Sequence, residues 1–220
     1  MKILLLGPKM GVNEKSIGGV IVLFDSFIKE LINQDVDFVI IDTNKSHYKN
    51  KIVSYFLIIF QITFNLPKCS HLSLHGTAKD FILLGPFAIL LAKIYGKKVS
   101  LRKFAGNFDD IYKNSGFIKQ TLIRFVLKGS DLNFFETKYL VRFFSQFNKN
   151  TYWFPNVRKK SLISTSTRFY KKFIYLGHIQ EEKGVEDLFS AIEHLPSDYQ
   201  VDFYGNITEE KYKKDMYWQS

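Results

Sequence analysis

Short apolar runs that alternate with longer amphipathic segments predict an α/β protein of parallel strands and crossover helices. Composition and length agree. The chain has 220 residues, of which 46% are hydrophobic and 16% aromatic, enough for a sizeable core and unlike a disordered chain. It exceeds a typical domain of ~100–150 residues and falls short of two, so one complete domain and part of a second are expected.

Residues 2–6 read as an apolar strand, after which Val20, Leu23, Phe24, Phe27, Ile28 and Leu31 recur at helical spacing. Residues 36–42 are the next strand, 52–64 a helix, 71–74 a short strand, 79–95 one long helix and 97–104 a strand. A helix over 117–127, a strand over 132–135, a helix over 138–147 and a strand over 151–154 complete the run before Pro155-Asn156. Strands separated by helices require right-handed crossovers, hence a parallel sheet with helices on both faces. Residues 157–172 are basic, rich in Ser and Thr and without sustained periodicity, as an interdomain linker is. A second β-α-β unit follows, with strands at 173–176 and 200–204 and a helix at 185–194. The predicted organisation is therefore a domain over 1–156, a linker over 157–172 and a partial domain over 173–220.

Several classes are disfavoured. The apolar run at 3–6 is too short for a signal-peptide core of ~7–15 residues, and Cys69, the single cysteine, rules out an internal disulfide and fits a reducing compartment. A cytoplasmic protein is expected, peripheral on the inner face of a membrane at most. The longest apolar stretches, 55–64 and 81–95, do not reach the ~20 residues that span a bilayer and read as buried helices. No cluster of His, Cys and carboxylates has metal-ligand spacing, and no cofactor motif is present. A G-x-G-x-x-G fingerprint is missing, which disfavours a dehydrogenase.

The net charge is +10, and it is regional. Residues 93–128 carry nine Lys or Arg against two Asp, and residues 138–172 carry nine against none. Such windows attract anionic lipid or phosphorylated ligands, or are simply solvated surface. Nucleic acid is disfavoured, because the aromatics fall at core spacing instead of alternating with Lys and Arg.

The densest motif lies near the end: Phe173-Ile-Tyr-Leu-Gly177-His178, then Lys183-Gly184-Val185 opening an amphipathic helix. A strand, a glycine turn and a helix N-terminus can hold a phosphate on backbone N–H groups, with Lys183 as an added charge. Near the start, Gly7-Pro8-Lys9-Met10-Gly11 ends the first strand and Ser16-Ile17-Gly18-Gly19 leads into the first helix; this is either a ligand loop or a plain glycine turn. His75-Gly76-Thr77 follows the third strand and Arg102-Lys103-Phe104-Ala105-Gly106-Asn107-Phe108-Asp109 the fourth, both at carboxyl ends of strands, where open α/β sheets bind ligands. His75 is either a site residue or a structural histidine, and Arg102 and Lys103 are either anion ligands or surface cations. Glu136, after the fifth strand, suits a helix N-terminal carboxylate.

The segment 173–191, with the Gly18-Gly19 loop, resembles the GT-B glycosyltransferases of family 4 (glycosyl transferases group 1), and the resemblance extends over about 1–207. It implies two Rossmann-like domains and metal-independent transfer of a sugar, with retention of configuration, from a nucleotide-sugar donor to a glycan or lipid-linked acceptor, as in bacterial surface polysaccharide synthesis. Carried over residue by residue, it implies donor-phosphate contacts from Gly18, Gly19, His178 (where the family usually has arginine), Lys183 and Gly184. It implies catalytic or sugar-facing roles for His75, Asn107 and Asp109, and acceptor contacts from Arg102 and Lys103. The family's second domain continues well beyond this length and carries a Glu-x7-Glu nucleotide site that is not in this sequence. The resemblance therefore implies a truncated enzyme, completed by a homodimer partner or a second polypeptide; the alternative is an inactive acceptor- or membrane-binding module.

Overall fold

The computed structural model describes residues 2–11, 18–157, 166–207, 209, 211 and 212. It divides into two compact units, Met1–Arg158 and Lys159–Ser220.

The first unit is built on six parallel strands: β1 (Lys2–Gly7), β2 (Asp37–Asp42), β3 (His71–Gly76), β4 (Lys98–Lys103), β5 (Leu132–Phe135) and β6 (Thr151–Trp153), in the order β2-β1-β3-β4-β5-β6. The order reverses between β1 and β3. At such a switch point the connecting segments leave toward opposite sides and open a crevice at the carboxyl ends of the strands.

Pleating sends alternate residues to opposite faces, and the two faces are covered unequally. On one, Leu4, Leu6, Leu72, Leu74, Val99, Leu101 and Phe135 pack beneath five helices: α2 (Lys51–Asn65), α3 (Ala78–Leu83), α4 (Gly85–Ile94), α6 (Phe117–Gly129) and α7 (Lys138–Phe144). On the other, Leu5 and Phe104 meet Leu23 and Phe24 of one helix, α1 (Gly19–Asn33). A short helix, α5 (Phe108–Lys113), sends Phe108 into the larger core against Phe81, Phe135 and Phe144.

Local chemistry sets several boundaries. The Asn50 side chain accepts from the N–H groups of Ile52 and Val53 and starts α2, and Thr137 starts α7 by accepting from Leu140. Thr77 and Asp80 form a reciprocal capping box at α3.

Two expectations need correction. The segment read as one helix over 79–95 is two, because Pro86 cannot donate to the ladder and α4 restarts at Gly85-Pro86. The apolar stretches 55–64 and 81–95 are only half buried: Ile58, Ile62, Ala88, Ile89 and Ala92 are in the core, whereas Phe56, Leu57, Phe60, Phe64, Phe87, Leu90 and Ile94 are exposed. A continuous apolar run on a surface helix carries hydrophobic residues all round, so one side must face outward.

The second unit pairs β7 (Lys172–Leu176) in parallel with β8 (Gln200–Tyr204) through α8 (Val185–Glu193). Among the described residues its buried apolar core is Ile179, Val185 and Tyr212, with Tyr175, Phe189, Phe203 and Ile207 packed around them. Gly184 enters α8 at φ 71°, a left-handed conformation that glycine adopts without strain. Gly205, at φ 153°, passes the backbone of Gly177 so closely that a β-carbon there would lie 1.8 Å from the Gly177 carbonyl oxygen.

Candidate functional site

The carboxyl ends of β1, β3, β4 and β5 gather the loops that sequence singled out. Gly18 is the N-cap of α1, exposed, with its carbonyl accepting from Ile21 and Val22; no side chain caps the helix. Gly19 is likewise exposed, with open space where a β-carbon would sit. Ser16 and Ile17 lie outside the described residues. Asp42, at the end of β2, accepts from the backbone N–H groups of Lys9 and Asn44, each at 2.9 Å, while its other oxygen pairs with His47 Nδ1 at 2.5 Å. This carboxylate ties the β1 loop to the β2 loop. A second pair, Lys45 Nζ to Asp80 Oδ1 at 2.5 Å, links the segment after β2 to the cap of α3.

The β4 loop holds the most unusual chemistry. Lys103 is 1% exposed, and its ammonium donates to the carbonyls of Phe104 and Ala105 while lying 4.9 Å above the Phe108 ring. Among the described residues no carboxylate forms an ion pair with it. Burial lowers its pKa to about 8, opposed by the more distant Glu136 and Asp80. Ala105 follows at φ 75°, a left-handed geometry that costs an alanine about 1–2 kcal/mol. Gly106 and Asn107 are exposed, and the Asn107 side chain makes no cap bond although it begins α5. Asp109, just inside α5, is buried; it receives Lys113 Nζ at 2.8 Å and the Tyr139 hydroxyl at 2.9 Å. The Lys113 hydrogen bond, with smaller help from Tyr139, holds its carboxyl below the usual range against the effect of burial.

On the opposite face of the same strands, beneath α1, lies a cavity of about 180 Å³ lined in part by His71, Ser73, His75, Ser100 and Arg102. A polar chain crosses it: His71 Nε2 to Ser100 Oγ at 2.8 Å, Ser100 Oγ to Ser73 Oγ at 2.8 Å and Ser73 Oγ to His75 Nε2 at 2.9 Å. If Ser100 donates to Ser73, then Ser73 donates to His75 Nε2, and the proton of His75 sits on Nδ1, where no acceptor is found. The His75 ring packs 4.7 Å from Phe27 and 5.2 Å from Phe24. Burial, with the adjacent Arg102 cation, lowers its pKa to about 3, so it is neutral at pH 7. The Arg102 guanidinium stacks 4.0 Å from the Phe154 ring and 4.9 Å from Phe104; among the described residues it has no ion-pair partner, and its Nε is buried without an acceptor.

The sheet thus sorts the candidates. His75 and Arg102 are register partners across β3 and β4 and lie together under α1. Lys103, Asn107 and Asp109 belong to the loop and the larger core. Neither Arg102 nor Lys103 is a surface cation: both are buried.

In the second unit, His178 is exposed and its carbonyl accepts from the Tyr175 hydroxyl at 2.9 Å. Lys183 is exposed at the end of a single 3₁₀ turn, its N–H donating to the Gln180 carbonyl, and Gly184 then opens α8 with no side-chain cap. The first turn of α8 carries Glu186 and Asp187, which would repel an anion. Glu186 is engaged by Lys211 at 3.0 Å and by the Tyr212 hydroxyl at 2.8 Å, which offsets part of that repulsion. Sequence reasoning missed the Asp42 and Lys45–Asp80 links and the Lys113–Asp109–Tyr139 group. The one signal for them was an aspartate closing a strand at position 42.

No family model and no curated protein matches this sequence. Among solved structures, Anabaena Alr3699/HepE, crystallised in complex with UDP and glucose, resembles it with a TM-score of 0.61 at 13% identity over 98% of this chain. At that identity the likeness establishes the fold, α/β of the GT-B type. The chain spans 64% of the length of the HepE chain.

Proposed function

We propose that this chain belongs to a glycosyltransferase that moves a sugar from a nucleotide-sugar donor to a glycan or lipid-linked acceptor, with the first unit on the acceptor side and the turn 177–184 on the donor diphosphate. The observation that carries the reading is the fold likeness to a protein solved with UDP and glucose, joined to an uncapped helix N-terminus beside Lys183 in the second unit. Positive charge and helix N–H groups stabilise a leaving diphosphate electrostatically, which suffices for transfer without a metal.

In this reading Gly18 and Gly19 leave open backbone for a ligand in the first unit, and within the second unit His178, Lys183 and Gly184 are the donor-phosphate contacts. Asn107 is the exposed polar group at the β4 loop and faces the sugar. Asp109, locked to Lys113 and Tyr139, positions the β4 loop, and His75, neutral and on the α1 face of the sheet, is a positioning group from the other side. Lys103 holds the loop's carbonyls, and Arg102 supplies a buried positive field toward the acceptor side. Membership of family 4, retention of configuration and a role in surface polysaccharide synthesis are parts of the same proposal, as is a homodimer partner or second polypeptide on the donor side.

The test is an amide NMR titration of the 220-residue chain with UDP and UDP-glucose. Shifts centred on residues 177–188 at about millimolar affinity are expected of backbone N–H and lysine contacts to the diphosphate alone. Absence of shifts in that segment defeats the proposed donor site, and micromolar affinity defeats the partial-pocket reading.

A further inference from the structure

The strongest feature not absorbed by sugar transfer is the outward face of the helical layer of the first unit. The helices α2, α4 and α6 lie side by side, with α4 in contact with both others. Their inward sides fill the larger core. Their outward sides are also apolar: Ile52, Phe56 and Phe60 on α2 are 70%, 71% and 60% exposed, and Phe117 and Ile118 on α6 are 77% and 75% exposed. Leu90 and Ile94 of α4 continue the surface between them, and a groove of about 410 Å³ runs between α4 and α6, floored by Phe87, Leu90 and Phe125. Contiguous exposed apolar surface of this kind marks a surface that docks on something.

Charge selects the occupant. The three helices contain Lys51, Lys93, Lys119, Arg124 and Lys128 and no Asp or Glu. The Lys93 ammonium lies 5.9 Å from the Phe125 ring, its stem along the apolar groove and its head free to reach outward. A second copy of the chain meeting this face in a two-fold dimer would set these cations against their own copies with no carboxylate opposite, which is electrostatically unfavourable. An anionic lipid surface answers both properties: phosphate head groups neutralise the lysines and arginine, and the aromatic and aliphatic side chains enter the acyl boundary to a depth of about 5–10 Å. The face lies on the membrane instead of crossing it, since among the described residues no helix is long and apolar enough to span.

We propose that the α2–α4–α6 face docks the protein on an anionic bilayer, with Phe56 and Phe60 inserted and Lys119 and Arg124 on the head groups. This stands independently of sugar transfer, because vesicle binding is read without donor or acceptor. The experiment is co-sedimentation of the full 220-residue chain with phosphatidylcholine vesicles that contain or lack phosphatidylglycerol, at low and high salt, alongside light scattering of the free protein. Binding to the phosphatidylglycerol vesicles is expected, weakened at least about tenfold by high salt. The exposed double substitutions Phe56→Ser/Phe60→Ser and Lys119→Glu/Arg124→Glu should each lower partitioning about tenfold or more with an unchanged far-ultraviolet spectrum, whereas Ile174→Ser/Leu176→Ser in the second unit should leave it unchanged. Absence of binding at low salt, equal binding to neutral vesicles, or loss of binding only with the second-unit variant overturns the proposal. So does a stable dimer that Phe56→Ser/Phe60→Ser dissolves, which would assign the face to a second copy.

Discussion

The two units use the same β-α-β chemistry and differ in how much they can tolerate. In the first, two apolar clusters on a six-stranded sheet coexist with a neutralised histidine, an unpaired buried guanidinium, a buried lysine and a left-handed alanine. Each of these is destabilising. The second unit has, among the described residues, three in its buried core, keeps its histidines His178 and His194 exposed, and has glycine at two of its three positive-φ positions, Gly184 and Gly205, with Lys171 at the third. Buried, unpaired polar groups are tolerated where a large apolar core over-determines the structure, here at the carboxyl ends of β3 and β4.

The comparison breaks most directly by hydrogen exchange. A pair of strands with Phe173, Ile174, Leu176 and Tyr204 exposed, and an apolar groove of about 440 Å³ between α8 and β7, buries little area to offset chain entropy. Amides in β7 and β8 are expected to be protected about 1,000-fold less than those of β1 and β3, since local opening energies range from near zero to the global value. Equal protection in a monomeric sample would mean that the second unit is as stable as the first and that its small core does not limit it.

The alternation of strands and helices was legible because apolar runs of period two and 3.6 leave distinct marks. Strand β8 falls on its predicted residues, 200–204. What was not legible followed from two physical facts. Sequence does not tell which side of an apolar helix faces water, so α2 and α4 read as buried. Nor does it tell which face of a strand a polar residue takes: Arg102 and Lys103 are neighbours in sequence yet point to opposite faces, one under α1 and the other into the Phe108 core. Helix α5 was missed because Phe108-Asp109-Asp110-Ile111-Tyr112-Lys113 reads as a polar loop, and its amphipathic character appears only once Phe108 finds Phe135 and Phe144.

The comparison sharpens with acid. His75 titrates near 6.5 in an unfolded chain and at about 3 in the fold, so between those values the unfolded state binds the extra proton. Its contribution to stability is fully present above about pH 6.5 and is lost as pH falls toward 3, with a slope approaching ~1.4 kcal/mol per pH unit at the steepest. His71, also lowered by burial, acts in the same direction. Urea unfolding between pH 7 and 5 should show falling stability for the first unit, and His75→Gln should flatten the slope without abolishing it. An unchanged slope in that variant would assign the acid sensitivity elsewhere.

The smallest effect is the exchange of two backbone positions. Ala105 holds φ 75° in the first unit and Gly184 holds φ 71° in the second, nearly the same geometry with opposite residue choices. Ala105→Gly relieves about 1–2 kcal/mol of left-handed strain but gives the unfolded chain back about 0.4–1 kcal/mol of entropy, so a net gain of about 0.5–1 kcal/mol is expected in the unfolding midpoint. Gly184→Ala should cost a similar amount, confined to the second unit; its nearest contact for the new methyl is an Asp187 oxygen at 3.8 Å, so backbone conformation and not crowding decides the outcome. The discriminating measurement, under the proposed function, is the activity of a protein form that transfers sugar, with and without Ala105→Gly. A more stable protein with lower activity would show that the strained carbonyl of Ala105, held by the Lys103 ammonium, keeps the β4 loop in its working shape. A stability gain with full activity would reduce Ala105 to a tolerated imperfection, and no gain at all would mean that the Lys103 clamp already offsets the strain.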